Sequence, residues 1–389
     1  MTGFRAVLRR EWDDLGGSTL AQMQLLWLPL VSLVLVWGVF MRGTATDLPV
    51  VFVDQDHTSV SRLLGRALDA APGLAVRLRT DSLEAGREAV RRGDAEGIVL
   101  VPRNFMRRLK RGEPGEVTAW FNAQFLLTGN LVSRELQSAV LTFSAQVEAR
   151  ARLARGEPRV AVAINTQPIA ARRDTRHNPY LNYVPFLVAG LAAGMVQMFA
   201  MLGAVRVAGR ELRDGTAVDW LTAAGGRIVP AVAAKLVLPT LACLTAELAF
   251  LAGLHGWLGW PMPGSWTVLL GAVVLMVLVY EGLGLLVIGI TANYRLASSV
   301  TAFITAPALA FAGLTYPLGN MPGLAQVWGH ALPLSVFLRL QIEQTVRGAP
   351  AAESWPELAV LAAVTVGAFA CALPLLAWRA RDPKSGRKQ

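Results

Sequence analysis

Apolar residues along this chain gather into six long runs, at about residues 25–41, 183–205, 236–254, 266–290, 296–314 and 358–378. A helix rising about 1.5 Å per residue needs roughly 20 such residues to cross a bilayer core, so the pattern predicts six transmembrane helices. Pro29 falls in the first turns of the first run, where a missing N–H costs least. Ahead of the runs, FRAVLRREWDDL alternates with helical spacing: Phe4, Val7, Leu8 and Trp12 on one side, Arg5, Arg9, Arg10 and Glu11 around the other. Residues 1–24 therefore read as an interfacial amphipathic helix, followed by the first span at 25–42.

Between the first two runs, residues 43–182 carry the pattern of a soluble domain. LPVVFVD, LAVRLRT and EGIVLVP are short strand patterns, SRLLGRALDAA and DSLEAGREAVRRG are helical, and Gly93 closes the second of these helices. VTAWFNA follows, and then Gln124 to Arg155 keeps helical spacing throughout. Alternating strands and helices predict a small α/β layer. The expected fold is thus a mainly α membrane protein, with six transmembrane helices, an N-terminal interfacial helix and a soluble α/β domain inserted after the first span.

Composition supports the membrane class: 53% of the 389 residues are hydrophobic, mean hydropathy is +0.43, and 16% are charged where a soluble domain has about a quarter. The net charge of +10 would suggest nucleic acid in a soluble chain. Here much of it lies beside the runs and in the tail 379–389, which argues against a nucleic-acid partner and for membrane lipids. Arg206, Arg210, Arg213, Arg227 and Lys235 flank the second and third runs, and an Arg/Lys excess marks the cytoplasmic side. Both termini are then cytoplasmic and residues 43–182 extracytoplasmic. Residues 183–378 form a five-helix region with a cytoplasmic loop at 206–235 and a broken outer segment at 315–350. Asn293, Tyr294 and Arg295 fall in an inner turn, and Trp257, Trp260, Trp266 and Trp328 in the outer aromatic belt.

The 206–235 loop holds the most distinctive polar sequence. After the flexible Gly215-Thr216 pair, Val218, Leu221 and Trp220 can form one apolar stripe on a short helix able to meet a partner. Glu247 and Glu281 sit within apolar runs, where ionisable groups are expensive, so each should face the protein interior, a cavity or an interface. They are candidates for a transport path or a dimer seam, although Glu247 equally reads as reaching water or pairing near His255. Gly282-x-Gly284 suggests close helix packing, and Asn178-Pro179-Tyr180 a hinge into the second span. Asp54, Asp56 and His57 read as turn and cap chemistry rather than metal ligands. Cys243 and Cys371 lie in apolar runs and suggest neither a metal pattern nor a disulfide. No GxxxxGK[ST], GxSxG, HExxH or CxxC pattern occurs, so the chain shows no ATP, hydrolase or redox machinery of its own.

FAGLTYPLGNMP followed by LPLSVFLR resembles the signature before the last span of ABC-2 type exporter permeases. GREL-RDGT-x4-L with a following Lys-bearing segment resembles the cytoplasmic loop of that family. VFVDQDHTS resembles the VVDxDxS-like strand of the bacterial subgroup with a periplasmic α/β domain, and the likeness covers essentially the whole chain. It implies a non-catalytic permease subunit of the bacterial inner membrane that exports a hydrophobic or amphipathic substrate such as a drug, lipid or polymer intermediate. The implied unit is a homodimer or a pair with a paralogous permease, bound to separate ABC ATPase subunits that hold ATP and Mg2+, with room for a periplasmic adaptor. No cofactor is implied for this chain. The resemblance places Arg210, Glu211, Asp214, Gly215, Thr216 and Leu221 at the ATPase contact, flanked by Phe4 to Trp12. It makes Gly313, Tyr316, Pro317, Met321, Pro322 and Pro333 an outer re-entrant motif or surface helix pair. Two other classes stay open: a proton-coupled secondary transporter with Glu247 and Glu281 as its relay, and an envelope sensor or assembly scaffold using the external domain as a binding module.

Overall fold

A computed structural model describes residues 3–41, 43, 45–124, 126–159, 162 and 182–381. The Asn178-Pro179-Tyr180 hinge and tail residues 382–389 lie outside the described residues. Contacts divide the chain into two units, Met1–Gly43 with Asn182–Gln389, and Thr44–Leu181.

The larger unit begins with helix α1 (Phe4–Gly17), which buries Val7, Glu11 and Leu15 as one stripe at i, i+4 and i+8. Glu11, expected among the outward charges, is on the buried face beside Val7, while Phe4 and Trp12 are exposed at 39% and 64%. Charge pairing, described below, decides which face turns inward. Ser18 accepts from the Ala21 N–H and so caps helix α2 (Thr19–Phe40).

The smaller unit is a four-stranded sheet in the order β2-β1-β3-β4, from β1 (Leu48–Asp54), β2 (Leu74–Thr80), β3 (Gly97–Val101) and β4 (Thr118–Phe121). β1 runs parallel to β2 and β3, with Val50 opposite both Val76 and Gly97, while β4 is antiparallel to β3, with Ala119 opposite Val99. The unbroken apolar run of β1 is what a central parallel strand needs, since both its faces are covered. Val50 and Phe52 pack with helix α3 (Ser59–Asp69) and helix α6 (Leu126–Ala154); Val51 and Val53 pack with helix α4 (Leu83–Arg92). Helix α5 (Phe105–Lys110) adds Phe105 to the first of these cores. Asp54 accepts from the Asp56 and His57 N–H groups and from the Ser61 hydroxyl, and Thr58 forms a capping box with Ser61, so these side chains serve the turn into α3.

The larger unit continues with α7 (Val184–Arg213), α8 (Ala217–Ala223), α9 (Ile228–Trp257) and α10 (Trp266–Thr291). It ends with α11 (Tyr294–Thr305), α12 (Ala308–Phe311), α13 (Gly323–Ala331), α14 (Pro333–Ile342) and α15 (Ala351–Arg381). Among the described residues, five helices are long and apolar enough to cross a membrane: α2, α7, α9, α10 and α15. The run at 296–314 is not one helix. It breaks between α11 and α12 at Pro307, whose ring removes a backbone donor and crowds the preceding turn. The 206–235 stretch is also shorter as a loop than its charge suggested. Arg206–Arg213 completes α7 and Ile228–Lys235 begins α9, because Val207, Ala208, Leu212, Ala231, Val232 and Ala234 all find buried packing.

α10 is the central helix, packed most extensively on α15 and α7. Its two inner glycines serve opposite neighbours: a Cβ on Gly284 would come within 2.5 Å of the Met201 carbonyl oxygen, and one on Gly282 within 3.0 Å of the Ala368 methyl. One core cluster joins Val196, Phe250, Met276, Tyr280, Leu334 and Phe337; a second, at the other end, joins Val7, Leu212, Trp220, Val232, Ile288, Ala297, Leu376 and Ala380.

Candidate functional site

The end of the helical unit that holds the second cluster gathers six charges, of which Glu11, Glu211 and Lys235 are buried. Lys235, 1% exposed near the start of α9, sends its Nζ to Glu211 Oε1 at 2.8 Å and to Glu11 Oε1. Arg10 of α1 donates to Glu211 Oε2 at 3.1 Å, and Arg210 of α7 donates to Glu11 Oε1 at 3.1 Å and pairs with Asp14. Three acids face three bases, and Glu11 and Glu211 are 4% and 0% exposed. Burying charges costs several kcal/mol per ion unless each is paired and hydrogen-bonded, which the interlocked arrangement achieves. The ammonium also sits 5.4 Å from the Trp220 ring centroid, a cation–π contact. α1, α7 and α9 are thereby fastened at one point.

The connector Asp214–Arg227 is built onto this cluster. Gly215 adopts φ +71°, left-handed backbone that favours glycine, and reverses the chain after α7. The reversal lets the Thr216 hydroxyl donate to Glu211 Oε2 at 2.5 Å. α8 then turns Ala217, Trp220 and Leu221 inward, and the Trp220 indole N–H donates to the Ala231 carbonyl. The Gly3 N–H donates to the Ala223 carbonyl, tying α1 to the far end of α8. The outward face is Asp214, Gly215, Val218, Asp219 and Thr222. The expected stripe of Val218, Leu221 and Trp220 is therefore split, because Trp220 and Leu221 fill the gap between α7 and α9 while Val218 is 44% exposed. The Arg213 guanidinium beside Asp214 holds that carboxyl below its ordinary range.

Of the residues expected at a partner contact, Asp214 and Gly215 are exposed and Thr216 is half-buried. Glu211 and Leu221 are buried and Arg210 faces α1, so these three stand behind the surface. Sequence reading missed Arg10, Glu11 and Asp14 as members of the cluster and took Lys235 for a loop cation. The available signal was a carboxylate at Glu11 in register with Val7 and Leu15.

The two membrane-depth glutamates are separate from this cluster. Glu281 on α10 is wholly buried, and both its oxygens lie 2.8 Å from the Thr240 hydroxyl of α9, a partner the sequence did not reveal. Thr240 also lines an apolar groove of about 430 Å3 with Leu236, Leu278 and Phe369. Glu247 is wholly buried, and neither of its carboxylate oxygens has a hydrogen-bond partner among the described residues. It does not reach water or His255, whose Nδ1 meets the Trp260 carbonyl.

In the broken segment, Gly313 takes φ +81° and lies against Leu318, and a Cβ on Gly329 would come within 2.4 Å of the same leucine. Pro317 precedes the short turn Leu318–Asn320, Pro322 precedes α13 and Pro333 opens α14, each where its missing N–H is tolerated. Met321 is buried and Tyr316 exposed.

Long apolar helices joined by a buried charge cluster define a multi-pass membrane protein. The profile of the family described as ABC-2 family transporter protein matches residues 22–373, and this chain belongs to that family. It is accordingly a permease subunit of an ABC transporter, a kind of subunit that is typically non-catalytic and works with an ATPase subunit. No curated protein matches the sequence.

Proposed function

We propose that this chain is the permease of an ATP-driven exporter of the bacterial inner membrane, carrying a hydrophobic or amphipathic substrate outward. The observation that carries the reading is that Glu11, Glu211 and Lys235 fasten α1, α7 and α9 at one point, with α8 held against them through Thr216 and Trp220. A short exposed helix clamped to the ends of two long ones turns a push from a nucleotide-driven subunit into a tilt of those helices, a rigid-body switch. The ATPase then meets Asp214, Gly215, Val218, Asp219 and Thr222, while Arg210, Glu211, Thr216, Leu221 and Lys235 transmit the movement. ATP and Mg2+ stay in the partner subunit.

The chain crosses the membrane six times, with the broken α11–α12 as the fifth crossing. Parity supports this. Val7 of α1 and Ala380 of α15 share one core cluster, which also holds Ala297 of α11, whereas Ala308 and Ala312 belong to the cluster at the other end. Tyr294–Phe311 covers about 27 Å at 1.5 Å per residue, close to a hydrocarbon core of about 30 Å. Both termini are then cytoplasmic and Thr44–Leu181 lies outside, in agreement with the Arg and Lys flanking 206–235. The working unit is a homodimer or a pair with a paralogous permease, with a periplasmic adaptor as an optional partner of the outer domain. Glu281, Thr240 and the groove beside them form part of the substrate path, and Glu247, wholly buried within the subunit, stands behind that path.

Pull-down from detergent-solubilised membrane tests the reading. An ATPase should co-purify with the wild type and be lost from a V218R/D219R variant, which alters only exposed side chains. Absence of any ATPase from the wild-type preparation would remove the exporter assignment.

A further inference from the structure

The outer motif and α14 enclose a second cavity, of about 270 Å3. Ser335, Leu338, Arg339 and Ile342 line it from one face of α14, at the three-, four- and seven-residue spacing that puts side chains on one side of a helix. Leu314, Leu318 and Arg347 line it as well. Ser335 is 4% exposed, lines the cavity, and its hydroxyl has no hydrogen-bond partner among the described residues. A buried hydroxyl left without a partner is costly, so Ser335 offers a hydrogen bond that a ligand atom in the cavity can complete.

The two arginines have donors to spare. Arg339 lies 3.7 Å from Glu357, an ion pair too long for a hydrogen bond, and Arg347 forms no ion pair among the described residues. Glu343, one turn before Arg347, is engaged by the Ser354 hydroxyl instead. A guanidinium presents a planar fork of N–H donors that matches the oxygens of a phosphate or carboxylate. Two such forks and an orphan hydroxyl beside four aliphatic side chains suit one ligand class: an anionic oxygen head joined to an alkyl chain.

We infer that this cavity binds the head and first methylenes of an anionic amphiphile, the head on Arg339, Arg347 and Ser335, the chain along Leu314, Leu318, Leu338 and Ile342. The inference names a substrate class for the exporter and rests on that reading only for the step from bound ligand to exported cargo. Binding itself needs no ATPase and is measured without one.

Native mass spectrometry of the purified full chain, titrated separately with dioctanoyl phosphatidylglycerol, dioctanoyl phosphatidylcholine and inorganic phosphate, provides the test. The glycerol lipid should bind at least about tenfold more tightly than either of the others, since one lacks net charge and the other lacks a chain. R339Q/R347Q should weaken the glycerol lipid at least about tenfold and the choline lipid less. Both arginine side chains are exposed, so the variant keeps its fold, which a thermal melt verifies; S335A should weaken the same lipid severalfold. Wild-type affinity in the double variant, or equal binding of both lipids, overturns the site. Inorganic phosphate binding as tightly as the lipid overturns the amphiphile. Lipid binding without ATPase capture would sink the exporter reading and leave this site standing; ATPase capture without lipid binding would do the reverse.

Discussion

Replacing Lys235 by Met removes the one cation among the described residues that pairs with both Glu11 and Glu211. The methionine fills most of the lysine volume, so the change isolates charge from packing. Glu211 would keep Thr216 and Arg10, whose side chain is 37% exposed, and Glu11 would keep Arg210 at 18%. These remaining partners are reached by solvent and screened, so they compensate only in part. Removing one member of a buried ion pair costs about 3–5 kcal/mol, because the other charge stays buried and uncompensated. At roughly 2–4 °C per kcal/mol for a unit of this size, the melting temperature in detergent should fall by about 6–20 °C. Neutralising the orphaned partners in an E11Q/E211Q/K235M triple variant should recover most of the loss, as deleting a whole network is far cheaper than breaking it. A K235M melt within about 1 °C of wild type would reduce the cluster to screened surface pairs that hold nothing together.

Glu247→Met should raise stability by about 1–3 kcal/mol, read as a higher melting temperature, because both buried oxygens lack hydrogen-bond partners; a lower melt would show that the carboxyl is satisfied by a group that the proposal leaves out. Thr240→Val removes the hydroxyl that meets both Glu281 oxygens and should cost about 1–3 kcal/mol in the same assay, with no loss counting against the contact. Gly284→Val should destabilise by about 1–3 kcal/mol or more, since its Cβ would meet the Met201 carbonyl at 2.5 Å, whereas the same change at Gly271, where the surroundings are open, should be tolerated; equal melts for the two variants would argue against the close α7–α10 packing.

Much of this architecture was legible because it rests on local rules. The strand and helix patterns of Leu48 to Val101 are dictated by alternation, caps and Gly93, and long apolar helices by length alone. The interruption at Pro307 was written in the sequence too, yet hydropathy averaging passes over one proline in an apolar run. The charge cluster was hidden for a different reason. Lys235 and Glu11 are 224 positions apart, and only the tertiary fold brings them together. Helical periodicity sorts residues by polarity, so it put Glu11 outward, whereas Lys235 and Arg210 pair that carboxylate on the inward face. The single stripe expected of Val218, Leu221 and Trp220 divided similarly: Trp220 and Leu221 joined the core and Val218 stayed outside.

The central claim is that the outward face of residues 214–227 receives an ATPase and that the cluster behind it carries the load. Amide hydrogen exchange of the chain, with and without the captured ATPase, measures this most directly. Exchange should slow across 214–227 and the start of α1 on complex formation, lose that protection in V218R/D219R, and stay unchanged across 315–350. Protection confined to other segments, with 214–227 exchanging as in the free chain, would contradict it.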